Sequence, residues 1–141
     1  MRDKREKGCQ DIKEGIMDIR EGSKDIEKGL KEIECERFRE GIKNILEGLG
    51  DIKEGLGDIK EGKRDLQKCE KCHKSDQDFK CIDEGVRDIE EGIRKIEEGL
   101  DDILCGNTCE GVKRIREGLR DIDEGLKKII RGFESICGDQ C

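Results

Sequence analysis

"EGLGDIKEGLGDIKEG", Glu47 to Gly62, places five glycines in sixteen residues. Glycine at that density marks a loop. The apolar residues between the glycines nevertheless keep a seven-residue period, with Leu49 and Leu56 alternating with Ile52 and Ile59. The repeating unit is D-I-x-E-G-L-x. With its Ile at position a, Gly falls at d and Leu, Ile or Val at e.

The frame extends outward in both directions. Position a holds Ile12, Ile19, Ile26 and Ile33, then Phe38, Ile45, Ile52, Ile59 and Leu66. A third segment has Ile82, Ile89, Ile96 and Ile103; a fourth, after Thr108, has Ile115, Ile122, Ile129 and Ile136. Sixteen of the nineteen glycines stand at d, four per segment. A strand cannot use this pattern, because an odd period turns each successive repeat to the opposite face. On a helix, a, d and e form one stripe that recurs every two turns. The expected class is therefore all-α, with glycine in the middle of the apolar stripe.

A helical glycine costs about 1 kcal/mol relative to alanine. Sixteen of them cost on the order of 15 kcal/mol, as much as the net stability of a whole domain. Packing must offset this, and what glycine offers to packing is room. Gly15, Gly22, Gly29, Gly41, Gly48, Gly55, Gly85, Gly92, Gly99, Gly111, Gly118 and Gly125 are accordingly the expected contacts at which a second helix comes close. Gly50 and Gly57 fall at f, on the outer face, where close packing does not account for them.

Two breaks interrupt the frame, from Ile33 to Phe38 and from Ile103 to Thr108. They lie seventy residues apart, and each contains a cysteine, Cys35 or Cys105. The chain reads as a duplicated helical hairpin within one domain: residues 1–67, a Cys-rich connector 68–81, and residues 82–141 with a Cys-rich tail. In "LCGNTCEG" Gly106 suits a helix C-cap, and Asn107 with Glu110 suits a capping box; "ECERFREG" has no such punctuation. An antiparallel four-helix bundle with helices of up to about 29 residues is expected, the alternative being one hairpin of two very long helices.

The outer positions are charged: c is mostly Glu, g mostly Asp, and b and f rich in Lys and Arg. Glu21–Lys24, Glu84–Arg87, Glu91–Arg94 and Glu117–Arg120 are spaced for i,i+3 ion pairs on a solvated face. Net charge is −7 with no basic block, which gives no electrostatic basis for holding nucleic acid. No apolar run is long enough for a membrane span. The start, "MRDKREKGCQDIKEG", has no apolar core of a secretory signal, so synthesis in the cytoplasm is expected. With no Trp or Tyr and only three Phe, an aromatic-lined pocket for a small-molecule substrate is not expected. One His and three Ser build no nucleophilic triad, a phosphate-binding loop is missing, and no enzymatic activity is expected.

Nine cysteines are the chemically active feature. On a four-helix bundle Cys9, Cys69, Cys72, Cys81, Cys137 and Cys141 fall at one end, and Cys35, Cys105 and Cys109 at the other. All nine are candidates for cross-linking, and the odd number at the second end points to a bond between molecules. Cys69, Cys72 and His73 also spell C-x-x-C-H, which resembles the attachment motif of c-type haem. Bulky apolar lining for a porphyrin is missing around it, and Met1 and Met17 are the only methionines. Cys69, Cys72, His73 and Cys81 would alternatively supply four zinc ligands, although adjacent Cys72 and His73 rarely both face one ion. The preferred reading has no cofactor and treats these as structural cysteines that become oxidised.

Cysteine density, low complexity and the missing signal together resemble the cysteine-rich, self-assembling proteins of bacterial spore coats, exosporia and appendages. That resemblance implies a structural protein whose partners are copies of itself, made in the cytoplasm and cross-linked on a spore surface, where thiols escape the reducing cytosol. The competing readings are a metal- or haem-binding protein centred on Cys69, Cys72, His73 and Cys81, and a coiled-coil adaptor using its apolar stripe on a partner helix.

Overall fold

A computed structural model describes residues 3–69 and 76–138. It contains four helices: α1 (Lys4–Glu34), α2 (Phe38–Lys68), α3 (Asp76–Leu104) and α4 (Thr108–Cys137). Among the described residues there is no strand, and no helix is long and apolar enough to cross a membrane. α1 packs along α2 and α3 along α4, so the duplicated hairpin is the architecture. The lighter α2–α3 and α1–α4 contacts join the hairpins into a bundle with the helices in ring order.

Both breaks in the heptad frame are turns. At the first, the Arg37 N–H donates to Glu32 O and the Glu36 N–H to Ile33 O. At the second, the Asn107 N–H donates to Asp102 O and the Gly106 N–H to Ile103 O. Each is a Schellman C-terminus, which needs a left-handed residue just past the helix. Gly106 fills that role at φ 93°, and Glu36 fills the equivalent one at φ 66°. The turn that lacked punctuation in the sequence thus exists because a non-glycine residue accepts the strained conformation. Asn107 does stand at the N-cap of α4, but its side chain makes no cap hydrogen bond, so the expected capping box with Glu110 is not formed. At the start of α1, by contrast, the Asp3 carboxylate accepts from the Glu6 N–H at 2.8 Å.

Helices α1 and α2 have 31 residues each, slightly longer than expected. α3 begins at Asp76, so the connector ends sooner than the expected boundary of 81. Phe79 at an e position gives this extra turn a buried anchor, and Asp76 and Asp78 place negative charge at its N-terminus, where the helix dipole favours it.

Within each hairpin the d-position glycines meet in register. Gly15 lies against Gly55, Gly22 against Gly48 and Gly29 against Gly41; Gly85 against Gly125, Gly92 against Gly118 and Gly99 against Gly111. A Cβ built on Gly55 would sit 2.5 Å from the Gly15 carbonyl oxygen and 2.9 Å from Ile19 Cγ1. The hydrogen that glycine carries there instead faces the carbonyl, an arrangement suited to a weak Cα–H···O contact. Every a-position isoleucine except Ile136 closes over the partner's glycine, and Ile12, Ile19, Ile52, Ile59, Ile89 and Ile122 have no exposed surface. The zipper runs further than the expected set: Gly8 meets Gly62, and Gly132 meets the Asp78 carbonyl. Both extensions follow the same heptad frame.

The e positions face the other hairpin. Ile16, Leu30, Leu49, Leu56, Val86, Ile93, Leu100 and Leu126 are buried in one core with the a-position residues. Ion pairs cross the same boundary at Lys53–Glu97 and Lys60–Glu90, both 2.8 Å, at Lys63–Asp83, and at Arg116–Glu34, 2.6 Å.

Candidate functional site

The described cysteines occupy the two ends of the bundle. At the end holding the start of α1 and the close of α4, Cys9 and Cys137 form a disulfide with Cα atoms 5.9 Å apart. It closes a span of 128 residues and ties the first helix to the last. The Arg5 guanidinium reinforces that junction by donating to Ile136 O at 3.2 Å. Cys69, at the C-cap of α2, and Cys81, in α3, are free and half-buried at the same end. Cys72, His73 and Cys141 lie outside the described residues, and with them half of the expected metal- or haem-binding set. Among the described residues no three His, Cys, Asp or Glu side chains converge as a metal site.

At the opposite end Cys35, Cys105 and Cys109 are free and exposed. Cys35 and Cys105 are the C-caps of α1 and α3, immediately before the two left-handed turn residues. The Cys35 N–H donates to Lys31 O and Glu32 O, and the Cys105 N–H to Asp101 O, so the thiols project from anchored backbone. Cys109 stands in the first turn of α4. A thiol at such a rigid corner can reach a second molecule without any helix having to unfold.

The shafts between the ends carry charge rather than chemistry. Of the four expected i,i+3 pairs only Glu91–Arg94 is made. Glu21, Lys24, Glu84, Arg87, Glu117 and Arg120 are not in ion pairs among the described residues, as exposed pairs gain little against the entropy of holding two long side chains together; the bases that do pair mostly reach across to a neighbouring helix. In the α3–α4 hairpin Lys95 pairs with Asp121 and Lys128 with Asp88, both at 2.8 Å. Among the described residues, the central part of the α1–α2 hairpin has no such pair between its two helices. There Asp51 is pushed up from the ordinary aspartate range by burial and then by Asp25, Asp18, Glu54 and Glu21. Asp58 is pushed up by burial and then by Asp18, Asp11, Glu54 and Glu14. At the end of that hairpin Lys7 bridges Asp11 and Asp65, at 3.0 and 3.1 Å, which raises its own affinity for the proton.

Cys9, Cys69, Cys81 and Cys137 lie at one end and Cys35, Cys105 and Cys109 at the other, but spacing along the sequence pairs none of them. The Cys9–Cys137 bond required knowing that α1 and α4 are neighbours in the ring. Comparison with protein-family models, curated proteins and solved structures finds no match.

Proposed function

We propose that this protein is a structural subunit that assembles with copies of itself into a disulfide-cross-linked filament or layer on a spore surface. The observation that carries this reading is the contrast between its ends. One is stapled internally by Cys9–Cys137, while the other presents Cys35, Cys105 and Cys109 as exposed free thiols. Between them lies a shaft of about 46 Å, taking 1.5 Å per residue, whose glycine contacts hold each hairpin rigid. Cross-linking two copies removes two protons and two electrons from a pair of thiols, which an external oxidant such as dioxygen must accept. The spore surface enters from the cysteine-rich, low-complexity composition, and it supplies the oxidising setting that the chemistry needs.

Electrophoresis of air-oxidised protein tests the reading. The wild type should run as a ladder of multimers that collapses to monomer with reductant. The triple variant Cys35→Ser, Cys105→Ser, Cys109→Ser should lose most of that ladder. A monomer in both lanes for the wild type excludes cross-linking, and electron microscopy of the oxidised sample distinguishes filaments from sheets.

A further inference from the structure

The two sides of the bundle that share α1 carry opposite charge. On the α1–α2 side, positions c and g point outward, and Asp18, Glu21 and Asp25 face Asp51, Glu54 and Asp58. No ion pair among the described residues reaches any of these six. The equivalent side of the second hairpin is laced with lysine and arginine, so the acidity is particular to this hairpin and not a property of the repeat.

On the adjacent side, α1 and α4 enclose a groove in two parts of about 490 and 370 Å³. Its floor is apolar, with Leu30, Leu119, Leu126 and Ile130. Ser23 deepens it by standing at an e position, where the repeat mostly places a large apolar residue. Its rim is basic: Arg20, Lys24, Lys31 and Arg120 line it, and none has an ion-pair partner among the described residues. Of its three acids, Glu34 is neutralised by Arg116 and Asp123 by Lys127, leaving Glu27.

We propose that this groove docks the carboxylate side of a second copy, so that Arg20, Lys24, Lys31 and Arg120 of one molecule meet the Asp18, Glu21, Asp25, Asp51, Glu54 and Asp58 surface of the next. The proposal rests on the self-assembly reading and supplies the non-covalent contact that brings copies together before thiols are joined. Charge complementarity selects the occupant: an acidic surface and a basic groove lie on one chain, and no ion pair among the described residues joins the six acids or the four bases to anything else. The two surfaces differ, so the contact is heterologous and propagates from copy to copy instead of closing a two-fold dimer.

Sedimentation velocity tests this on full-length protein whose free thiols have been alkylated, which leaves Cys9–Cys137 closed and removes disulfide cross-linking. At an ionic strength of about 10 mM, where charges act over about 30 Å, the wild type should sediment as assemblies. At about 1 M salt, where the range falls to about 3 Å, it should sediment as monomer. The double variants Arg20→Glu with Arg120→Glu, and Asp18→Lys with Asp51→Lys, should each stay monomeric at low salt. An equimolar mixture of the two should form a one-to-one pair that grows no further, because the first keeps only its acidic side and the second only its basic groove. Circular dichroism establishes that both are folded. A wild type that is monomeric at low salt, a double variant that assembles like wild type, or a folded mixture that stays monomeric overturns the proposal. Salt-dependent assembly without an oxidised ladder would remove the cross-linking reading and leave the groove intact; a ladder without salt-dependent assembly would do the reverse.

Discussion

Adding one methyl group at Gly55 should destabilise the protein, and adding the same group two residues away at Gly57 should stabilise it. Both substitutions gain about 1 kcal/mol in helix propensity. At Gly57 a Cβ meets nothing within 4 Å, so Gly57→Ala should keep that gain in full. At Gly55 the Cβ would lie 2.5 Å from the backbone oxygen of Gly15. Close C···O contacts start near about 3.3 Å, so the helices must separate by roughly 0.8 Å. A gap of that size forfeits about a quarter or more of the dispersion well of each contact across it, and a buried aliphatic side chain makes some 40–60 contacts of about 0.1–0.2 kcal/mol. For Ile19 and Ile59, which flank the site and are fully buried, the loss is about 1.5 kcal/mol each by that reckoning. The net effect of Gly55→Ala is then a loss of about 2 kcal/mol, opposite in sign to Gly57→Ala and about 3 kcal/mol away from it. Urea unfolding followed by helical circular dichroism, with the disulfide closed, measures both. Equal stabilisation by the two alanines would show that the hairpin is slack enough to admit a side chain and that its glycines are not close contacts.

Three further expectations concern the turns, the staple and the acidic side. Glu36 holds a left-handed conformation that costs a non-glycine residue roughly 1 kcal/mol, so Glu36→Gly should raise unfolding free energy by about that much. Gly106→Ala should lower it comparably, both measured by thermal unfolding. Replacing Cys9 and Cys137 by Ser frees a span of 128 residues in the unfolded chain and should cost about 2–5 kcal/mol, with the difference vanishing when wild type is measured in reductant. Asp51 and Asp58 have raised folded-state affinities for the proton, so the folded protein binds more protons than the unfolded chain and stability falls as pH rises through their titration. Asp51→Asn and Asp58→Asn should therefore stabilise at neutral pH, and the advantage over wild type should disappear below the ordinary aspartate range near about pH 4. An advantage that persists unchanged at acid pH would assign it to helix propensity and not to charge.

Much of the fold is legible in the heptad. The unit around Gly55 states the period and the buried stripe, and it places glycine where another helix must approach; the seventy-residue offset between Cys35 and Cys105 states the duplication. The first turn is signalled by the frame break between Ile33 and Phe38 but not by its residues, because a Schellman end announces itself by glycine and Glu36 is not one. The early start of α3 was hidden, since one buried Phe79 among polar residues makes little periodic signal. Most of the i,i+3 ion pairs that spacing allows are not made, because a solvated pair gains too little to hold two long side chains in one geometry; the lysines that do pair mostly find carboxylates across the bundle. Lys7 spans to Asp65 and Lys53 to Glu97.

The candidate site divides in the same way. Which cysteines lie at which end follows from helix length and chain direction alone. Their pairing, and the division of the shaft into an acidic side and a basic groove, follow from which helices are neighbours. By itself the sequence determined the helices, their glycine-faced seam and the two-hairpin plan, because a strict seven-residue period has one geometric solution in which apolar residues share a face. Only the tertiary structure decided that α1 lies between α2 and α4. That placement brings Cys9 to Cys137 and sets Asp18 opposite Asp58 and Arg20 beside Arg120, because such contacts depend on the lateral order and register of packed helices, which no single helix's period encodes.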